Sequence, residues 1–374
     1  MNYGRRCGRA TLGALLGISA LIAGCAGERQ SSRPAAASPA QTRDLIESSL
    51  PGSVTDRAGW TADMYSAFNV LAIAPTQKNV CAVIAVIEQE SGFRVDPVIP
   101  GLAAIAWREI DDRAAHAGIP RMIVHGVLEL KSPNGGGYGD RIDKARTERQ
   151  LSDIYEDLIG AVPMGRTLFA DRNPIRTRGP MQVHVAFAER FSAAKPYPYP
   201  VKTSIADEVF TRRGGVYFGI AHLLDYRAPY DRYLYRFADF NAGQYASRNA
   251  AFQRAASSAS GIALIADGAL VAHDGDPSAP GATELAVRRL EPRLEAGDNA
   301  IRRALEQAKT AELEENPVYQ RVFALAELSE RRNLPRAAVP NIELHGPKIT
   351  RRLTTQWYAN RVNGRFERCV NGQP

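Results

Sequence analysis

The sequence predicts a mainly α-helical protein, and three observations support this. Between residues 44 and 255, apolar side chains recur with helical spacing in one segment after another. Strand signals are few, because only one Asp-Gly pair between short apolar runs predicts a small hairpin, at 262–271. The chain is 45% hydrophobic, so its 374 residues can bury a sizeable core.

The helical pattern predicts a series of elements in chain order. They are 60–72, 77–91, 101–117, 146–160, 183–193, 205–225, 230–239 and 244–257, then 283–293, 299–313, 317–331 and 350–360. Thr76 suits the cap before the second of these helices, and Asn316 with Pro317 suits the start of the helix at 317–331. The sequence shows no internal repeat.

Residues 1–24 have the three parts of a lipoprotein signal peptide. Three arginines precede residue 10, and the apolar run at 10–21 is shorter than the roughly 20 residues of a spanning helix. The next residues, Leu-Ile-Ala-Gly-Cys, resemble the lipobox of bacterial lipoproteins. We therefore expect export, cleavage before Cys25 and attachment of lipid such as palmitate to that cysteine. Alanine at position 26 implies transfer to the outer membrane of a Gram-negative cell, on a face that the sequence leaves open.

Residues 25–44 are rich in Ser, Pro and Ala, which predicts a flexible tether before the folded domain. Removing residues 1–24 removes three arginines and no acid, so the net charge falls from +7 to +4. The remaining charges alternate in sign, which excludes an obvious nucleic-acid surface. The histidines are scattered without ligand spacing, so no metal site and no cofactor are expected.

Lipid on Cys25 would leave two cysteines, Cys81 and Cys369. In an oxidising compartment this pair predicts a disulfide that ties the C-terminus to the start of a central helix. The alternative is two separate buried thiols.

Glu90 stands out among the acidic residues. Apolar residues at 80, 83, 84 and 87 form a helical stripe that Glu90 and Ser91 continue, whereas Glu88 and Gln89 fall outside it and are expected to be solvated. Partial desolvation is expected to raise the pKa of such a carboxyl group, as a general acid requires. The alternative is a helix-end carboxylate bonded to backbone or to an arginine.

Four segments in order resemble the soluble lytic transglycosylases, lysozyme-like enzymes that cleave peptidoglycan. Ala-Val-Ile-Glu-Gln-Glu-Ser-Gly-Phe at 85–93 resembles their Glu-Ser motif, and Gly-Pro-Met-Gln-Val at 179–183 is similar to their Gly-Leu-Met-Gln motif. The segment at 215–224 resembles their Gly-x-x-Tyr-Leu-x-x-Leu helix, and Phe-Asn-Ala-Gly at 240–243 resembles their Tyr-Asn-Ala-Gly turn.

The resemblance implies a single catalytic glutamate, Glu90, which protonates the bond between N-acetylmuramic acid and N-acetylglucosamine. The same residue then activates the 6-hydroxyl of the muramic sugar, which gives a 1,6-anhydro product. The matched positions imply a substrate-binding set around it. These residues are Ser91 and Gln182 as hydrogen-bonding groups, Met181 in the cleft wall, Asn241 in the opposite turn, and Tyr217.

The chain departs from that family at two points. Gly179 lies 88 positions after Ser91, where the family has about 20 to 30, so residues 97–178 form an insertion. Phe240 occupies the position of the tyrosine that donates its hydroxyl toward the catalytic glutamate. Tyr217, Tyr235 or Tyr245 would have to replace that hydroxyl.

The predicted organisation is therefore a signal peptide (1–24), a tether (25–44), a lysozyme-like domain with the insertion (45–260) and a C-terminal α+β extension (261–374). The whole layout resembles the YaiW-type family of outer-membrane lipoproteins. One hypothesis is a peptidoglycan lytic transglycosylase whose partners are glycan strands and, through its lipid, the membrane. The other is a catalytically inactive surface or periplasmic lipoprotein that binds glycan, peptide or a protein partner.

Overall fold

The structure is a computed structural model that describes residues 38–133, 135–169, 172–271, 279–347, 349 and 351–372. The predicted signal peptide, Cys25 and most of the predicted tether lie outside these ranges. The described part is mainly helical, which confirms the predicted class, and its residues from Pro39 onward form one compact unit. None of the helices in that part combines the length and apolar character needed to cross a bilayer.

The helices are numbered in chain order. They are α1 Pro39–Ser49, α2 Arg57–Val70, α3 Gln77–Glu90, α4 Leu102–His116, α5 Arg121–Leu128, α6 Tyr138–Lys144, α7 Glu148–Ala161, α8 Gly165–Phe169, α9 Val185–Ala194, α10 Ile205–Phe210, α11 Arg212–Leu224, α12 Tyr233–Ala242, α13 Ala246–Ser260, α14 Ala282–Arg288, α15 Glu291–Leu294, α16 Asp298–Glu306, α17 Pro317–Glu330 and α18 Thr355–Val370. Two antiparallel pairs of short strands accompany them: β1 Thr177–Arg178 with β2 Val183–His184, and β3 Glu343–Leu344 with β4 Leu353–Thr354.

Helix α3 lies at the centre of the first hydrophobic core. Its eight consecutive residues from Val80 to Ile87 are all buried, because α1, α11 and α18 all pack against it. The apolar stripe predicted for this segment is therefore wider than expected. Thr76 caps the helix by accepting a hydrogen bond from the Asn79 N–H, as its sequence position indicated.

Helix α18 runs antiparallel to α3 and belongs to the same core. Cys369 near its end forms a disulfide with Cys81 near the start of α3, with the two Cα atoms 5.6 Å apart. Tyr358, Ala359, Val362 and Phe366 are buried along its inner face. The C-terminal extension thus places its last helix in the core that contains α3, while its division from the preceding domain at residue 261 stays a prediction.

The insertion has a separate small core. Leu128, Tyr138, Ile142, Ala145 and Ile154 are its buried members, contributed by α5, α6, α7 and the connections between them. Three short helices in this region, α5, α6 and α8, were not expected from the sequence. They are short, and their apolar residues do not repeat over enough turns to show a helical period.

A third core joins α13 to the helices α14 to α17. Arg248 of α13 is 1% exposed and donates hydrogen bonds to the carbonyls of Ala308 and Thr310. These bonds offset the desolvation cost of burying its charge. These bonds connect α13 to the turn after α16.

Two local expectations are wrong. Helix α1 begins at Pro39, inside the predicted tether, and Arg43 stacks over the Tyr65 ring at 4.0 Å. Residues 262–271 form no strand pair, because the Asp267–Gly268 turn is held by the side chain of Gln253 instead of a neighbouring strand.

Candidate functional site

Glu90 is the last residue of α3, and its partly buried side chain meets α18. The Tyr358 hydroxyl donates a hydrogen bond to Glu90 Oε1 at 2.5 Å. Burial, followed by the negative charge of Glu90, raises the pKa of Tyr358 well above its usual value, so the phenol keeps its proton and acts as a donor. The bond fixes the direction of the Glu90 carboxyl group.

The position of Tyr358 follows from the disulfide and from helix geometry. Glu90 lies nine residues after Cys81, which is about 14 Å along a helix. Tyr358 lies eleven residues before Cys369, about 17 Å in the opposite direction. Two antiparallel helices joined at the cysteines therefore bring residues 90 and 358 to the same level.

The two residues before Glu90 are also held by α18. Arg361 Nε donates to Gln89 Oε1 at 3.1 Å, and Arg365 Nε lies 3.2 Å from Glu88 Oε1. Glu88 and Gln89 are half-buried, so they keep partial contact with solvent as expected, but both also have partners on α18. All three terminal side chains of α3 thus have partners on one helix.

Asn241 of α12 contacts α18 one turn before Tyr358. The Thr355 hydroxyl donates to Asn241 Oδ1 at 2.9 Å, and residues 355 and 358 are neighbours on a helix surface. Glu90 and Asn241, which belong to different sequence motifs, therefore contact adjacent positions of the same helix. Neither Thr355 nor Tyr358 was singled out from the sequence.

The turn that follows Asn241 is anchored by a buried carboxylate. Asp239 accepts hydrogen bonds from the hydroxyls of Tyr226 and Tyr230 and from the backbone N–H groups of Tyr245 and Ser247. Burial raises the pKa of Asp239 to about 6 in spite of these donors. Asp239 thereby fixes the start of α13 relative to α12.

The β1–β2 hairpin presents the second motif, in the loop 179–182. Gly179 has φ +73°, and a Cβ there would lie 2.0 Å from the Val209 carbonyl oxygen, so only glycine fits. Gln182 also has positive φ, 50°. Its side chain accepts from Thr177 Oγ1 at 2.9 Å and donates to Glu148 Oε2 at 3.2 Å. Glu148 belongs to α7, so the insertion directly contacts this predicted binding residue.

Three predicted site residues have packing roles. Met181 is fully buried against Gly219 of α11, and Tyr217 is 1% exposed among the rings of Phe191, Tyr197 and Phe218. Both side chains are core residues, and neither presents surface to a ligand. The Ser91 hydroxyl is used inside the helix end, where it donates to the Ile87 carbonyl at 3.1 Å.

Phe240 packs on His222, with ring centroids 5.0 Å apart. Burial lowers the pKa of His222 to about 4, so this imidazole is neutral at pH 7. Tyr245 packs on Tyr226, and Tyr235 packs on Tyr230. The hydroxyl that reaches Glu90 is thus supplied by Tyr358, not by Tyr217, Tyr235 or Tyr245.

Two cavities lie outside the immediate surroundings of Glu90. One of about 360 Å³ is lined by Glu88, Arg365 and Arg368 near the disulfide, and another of about 400 Å³ lies around Tyr235, Arg248 and Glu314. Within the ranges that the structure describes, no group of three or more His, Cys, Asp or Glu side chains is arranged to hold a metal ion.

One sequence signal could have located Tyr358 beside Glu90. A disulfide between Cys81 and Cys369 was expected, and 350–360 was expected to be helical. Extending that helix to Cys369 and pairing it antiparallel with 77–91 would have placed Tyr358 beside Glu90. The terminal helix does reach Val370, ten residues beyond the predicted end.

These features define a mainly α-helical protein in which a central helix ends in a glutamate clamped by the C-terminal helix. The chain belongs to the family described as Protein of unknown function (DUF1615), whose model matches residues 53–372 and so includes both Glu90 and Tyr358. It is similar to Uncharacterized protein YaiW of Escherichia coli (strain K12), with 48% identity over 350 residues, 94% of this chain and 95% of the relative. The YaiW-type family assignment is thereby confirmed. No solved structure matches the chain.

Proposed function

We propose that this protein is a peptidoglycan lytic transglycosylase with a lysozyme-like catalytic domain, exported and held on the outer membrane by lipid on Cys25. The observation that carries the proposal is the 2.5 Å hydrogen bond from Tyr358 to Glu90. The lytic transglycosylase pattern requires a tyrosine hydroxyl at the acid, and the sequence has Phe240 at the usual position. Tyr358 supplies that hydroxyl from another helix.

The reaction needs one carboxyl group that first gives and then takes a proton. The protonated Glu90 side chain donates its proton to the glycosidic oxygen as the bond from that oxygen to the anomeric carbon of the muramic sugar breaks. The 6-hydroxyl oxygen of the same sugar forms a new bond to that carbon, and its proton passes to the Glu90 carboxylate. Atoms and charge balance without water and without a second carboxylate nucleophile.

The remaining described contacts support positioning roles. Tyr358 orients the carboxyl group of Glu90, and Thr355 holds Asn241 on the adjacent position of α18. Gln182 uses its amide to accept from Thr177 and to donate to Glu148 and the Gly179 carbonyl, so its role is to hold the hairpin loop. Met181 and Tyr217 act beneath these groups as packing residues.

The test is digestion of purified sacculi by the mature protein, with mass spectrometry of released 1,6-anhydro-muropeptides. We expect product from the wild type and a loss on the order of 10²-fold or more in Glu90→Gln, because a general acid typically contributes that much. Glu88→Gln is the matched control, since Glu88 lies on the same helix end and its carboxylate pairs with Arg365. It should retain activity.

Two results would reject the proposal. One is the absence of anhydro products from folded wild-type protein, and the other is equal activity of the wild type and Glu90→Gln. Sacculus binding without cleavage, unchanged in Glu90→Gln, would establish the inactive binding lipoprotein in its place.

A further inference from the structure

The outer face of α5 carries a row of exposed apolar side chains. Met122 is 82% exposed, Ile123 56% and Val127 45%, and Ile119 and Leu130 beyond the helix ends are 44% and 59% exposed. Within α5, positions 122, 123 and 127 are spaced as residues on one side of a helix. Such a contiguous row is unusual on a protein surface that meets only water.

The opposite side of α5 is already packed into the core of the insertion. Leu128 is buried, and Val124 lies against that core. His125 stacks on Trp107 with ring centroids 4.6 Å apart and pairs with Asp111 at 2.8 Å. The helix is therefore apolar on both sides, and it cannot bury its outer face by turning over.

Helix α5 itself has no acidic residue that a lipid headgroup region would repel. Residues 114–128 contain no acidic residue, and Glu129, which follows them, is exposed beside Leu130. Lys131, next to Leu130, is exposed, whereas the Arg121 side chain pairs with Asp111 at 3.0 Å on the other side of the helix. Long basic side chains beside an apolar face are typical of helices that lie in the membrane interface, where the cations meet phosphate groups.

The N-terminal lipid predicted from the sequence keeps the folded unit close to a bilayer. Cys25 precedes the first residue of α1, Pro39, by fourteen positions (39 − 25), so an extended chain between them spans at most about 50 Å. Tethering over such a distance gives any membrane-binding surface a high effective concentration of lipid.

We propose that the outer face of α5 inserts into the surface of the membrane that holds the lipidated N-terminus. Met122, Ile123 and Val127 enter the boundary between headgroups and acyl chains, while Lys131 remains at phosphate level. The protein is then attached at two points, which sets its orientation on the membrane. This inference rests on lipidation of Cys25 and is independent of glycan cleavage.

The experiment uses the mature chain with Cys25→Ala, which removes the lipid and leaves the whole folded unit. Binding to vesicles of phosphatidylethanolamine and phosphatidylglycerol, 3:1, is measured by flotation. We expect the chain to bind, and the double variant Met122→Gln with Ile123→Gln to bind at least tenfold more weakly. The matched control is Leu328→Gln with Ile265→Gln, since these residues are 73% and 69% exposed elsewhere.

A second measurement locates the contact without testing affinity. An environment-sensitive dye on Met122→Cys should shift to shorter wavelength when vesicles are added, whereas the same dye on Leu328→Cys should not. Absence of vesicle binding by the Cys25→Ala chain, or equal binding of the α5 double variant, overturns the proposal. A dimer in solution that the double variant converts to monomer, without vesicle binding, would assign this face to a second copy of the chain.

Discussion

The α3–α18 pair and the insertion differ in how they are held. In α3, eight successive residues are buried, and the helix is joined to α18 by a disulfide and by the Tyr358 hydrogen bond. The insertion has only five buried apolar residues in its own core and exposes large apolar side chains on α5. Its helix α7 contacts the loop of the β1–β2 hairpin through the bond from Gln182 to Glu148.

The difference shows which part of the protein sets the chemistry of Glu90. The direction of its carboxyl group depends on Tyr358, 268 positions away in the chain, within a tightly packed core. The insertion contacts the neighbouring hairpin but not, through any bond described above, Glu90 itself. We therefore expect changes in the α3–α18 pair to have large effects, and changes at the insertion contact to have small ones.

The largest expected effect is that of the disulfide. Replacing Cys81 and Cys369 with serine should lower the free energy of unfolding by about 2–5 kcal/mol, because the bridge closes a loop of 288 residues in the unfolded chain. Urea unfolding measures the change, and reduction of the wild-type protein provides the control that introduces no serine. Equal stability of the oxidised and reduced wild type would show that the clamp depends on packing alone.

Asp239 should give the next largest effect, as a function of pH. The pKa of Asp239 is 3.8 in the unfolded chain and about 6 when folded, so the folded state keeps this proton up to a higher pH. Its contribution to stability is complete below about pH 4 and is lost as the pH rises through 6, a change of ~3 kcal/mol.

Asp239→Asn should therefore lack this dependence, and the stability difference between wild type and variant should shrink from pH 4 to pH 7. Urea unfolding at both pH values measures it. A carboxyl NMR titration of the wild type checks the pKa directly if the variant does not fold. A titration midpoint near 4 would contradict the prediction.

Tyr358→Phe tests the clamp on Glu90. Removal of one hydroxyl that donates to a carboxylate should cost ~1–2 kcal/mol of stability and lower the release of anhydro-muropeptides about 10- to 100-fold, with the loss in kcat. Tyr233→Phe is the matched control, because the Tyr233 hydroxyl donates to Asn79 Oδ1 at 2.6 Å on the same helix α3, far from Glu90. It should lose stability but keep activity, and equal activity losses in both variants would remove the special role of Tyr358.

Glu148→Gln should have the smallest effect. The new side chain keeps an oxygen that can accept from Gln182, so we expect a change of less than ~1 kcal/mol in stability and of less than about threefold in activity. Glu148→Ala removes that acceptor and serves as the comparison. A large loss in Glu148→Gln would mean that the insertion belongs to the catalytic apparatus.

Much of the local structure was readable from residue patterns. The helix at 77–91 was expected because its apolar period and Thr76 cap are local signals, and α3 begins and ends within one residue of that range. The helix expected at 205–225 is divided at Thr211, whose hydroxyl accepts from the Gly214 N–H and so starts a second helix. The hairpin expected at 262–271 failed because a strand needs a partner, which a local pattern does not guarantee.

By itself, the sequence determined the helical class, the candidate acid Glu90 and the pair of cysteines, because helical period, capping and residue chemistry act between near neighbours. Only the tertiary structure decided that Tyr358 is the donor to Glu90, that Met181 and Tyr217 are buried and that Glu148 reaches Gln182. These contacts join residues far apart in the chain, and they depend on how whole helices pack against one another.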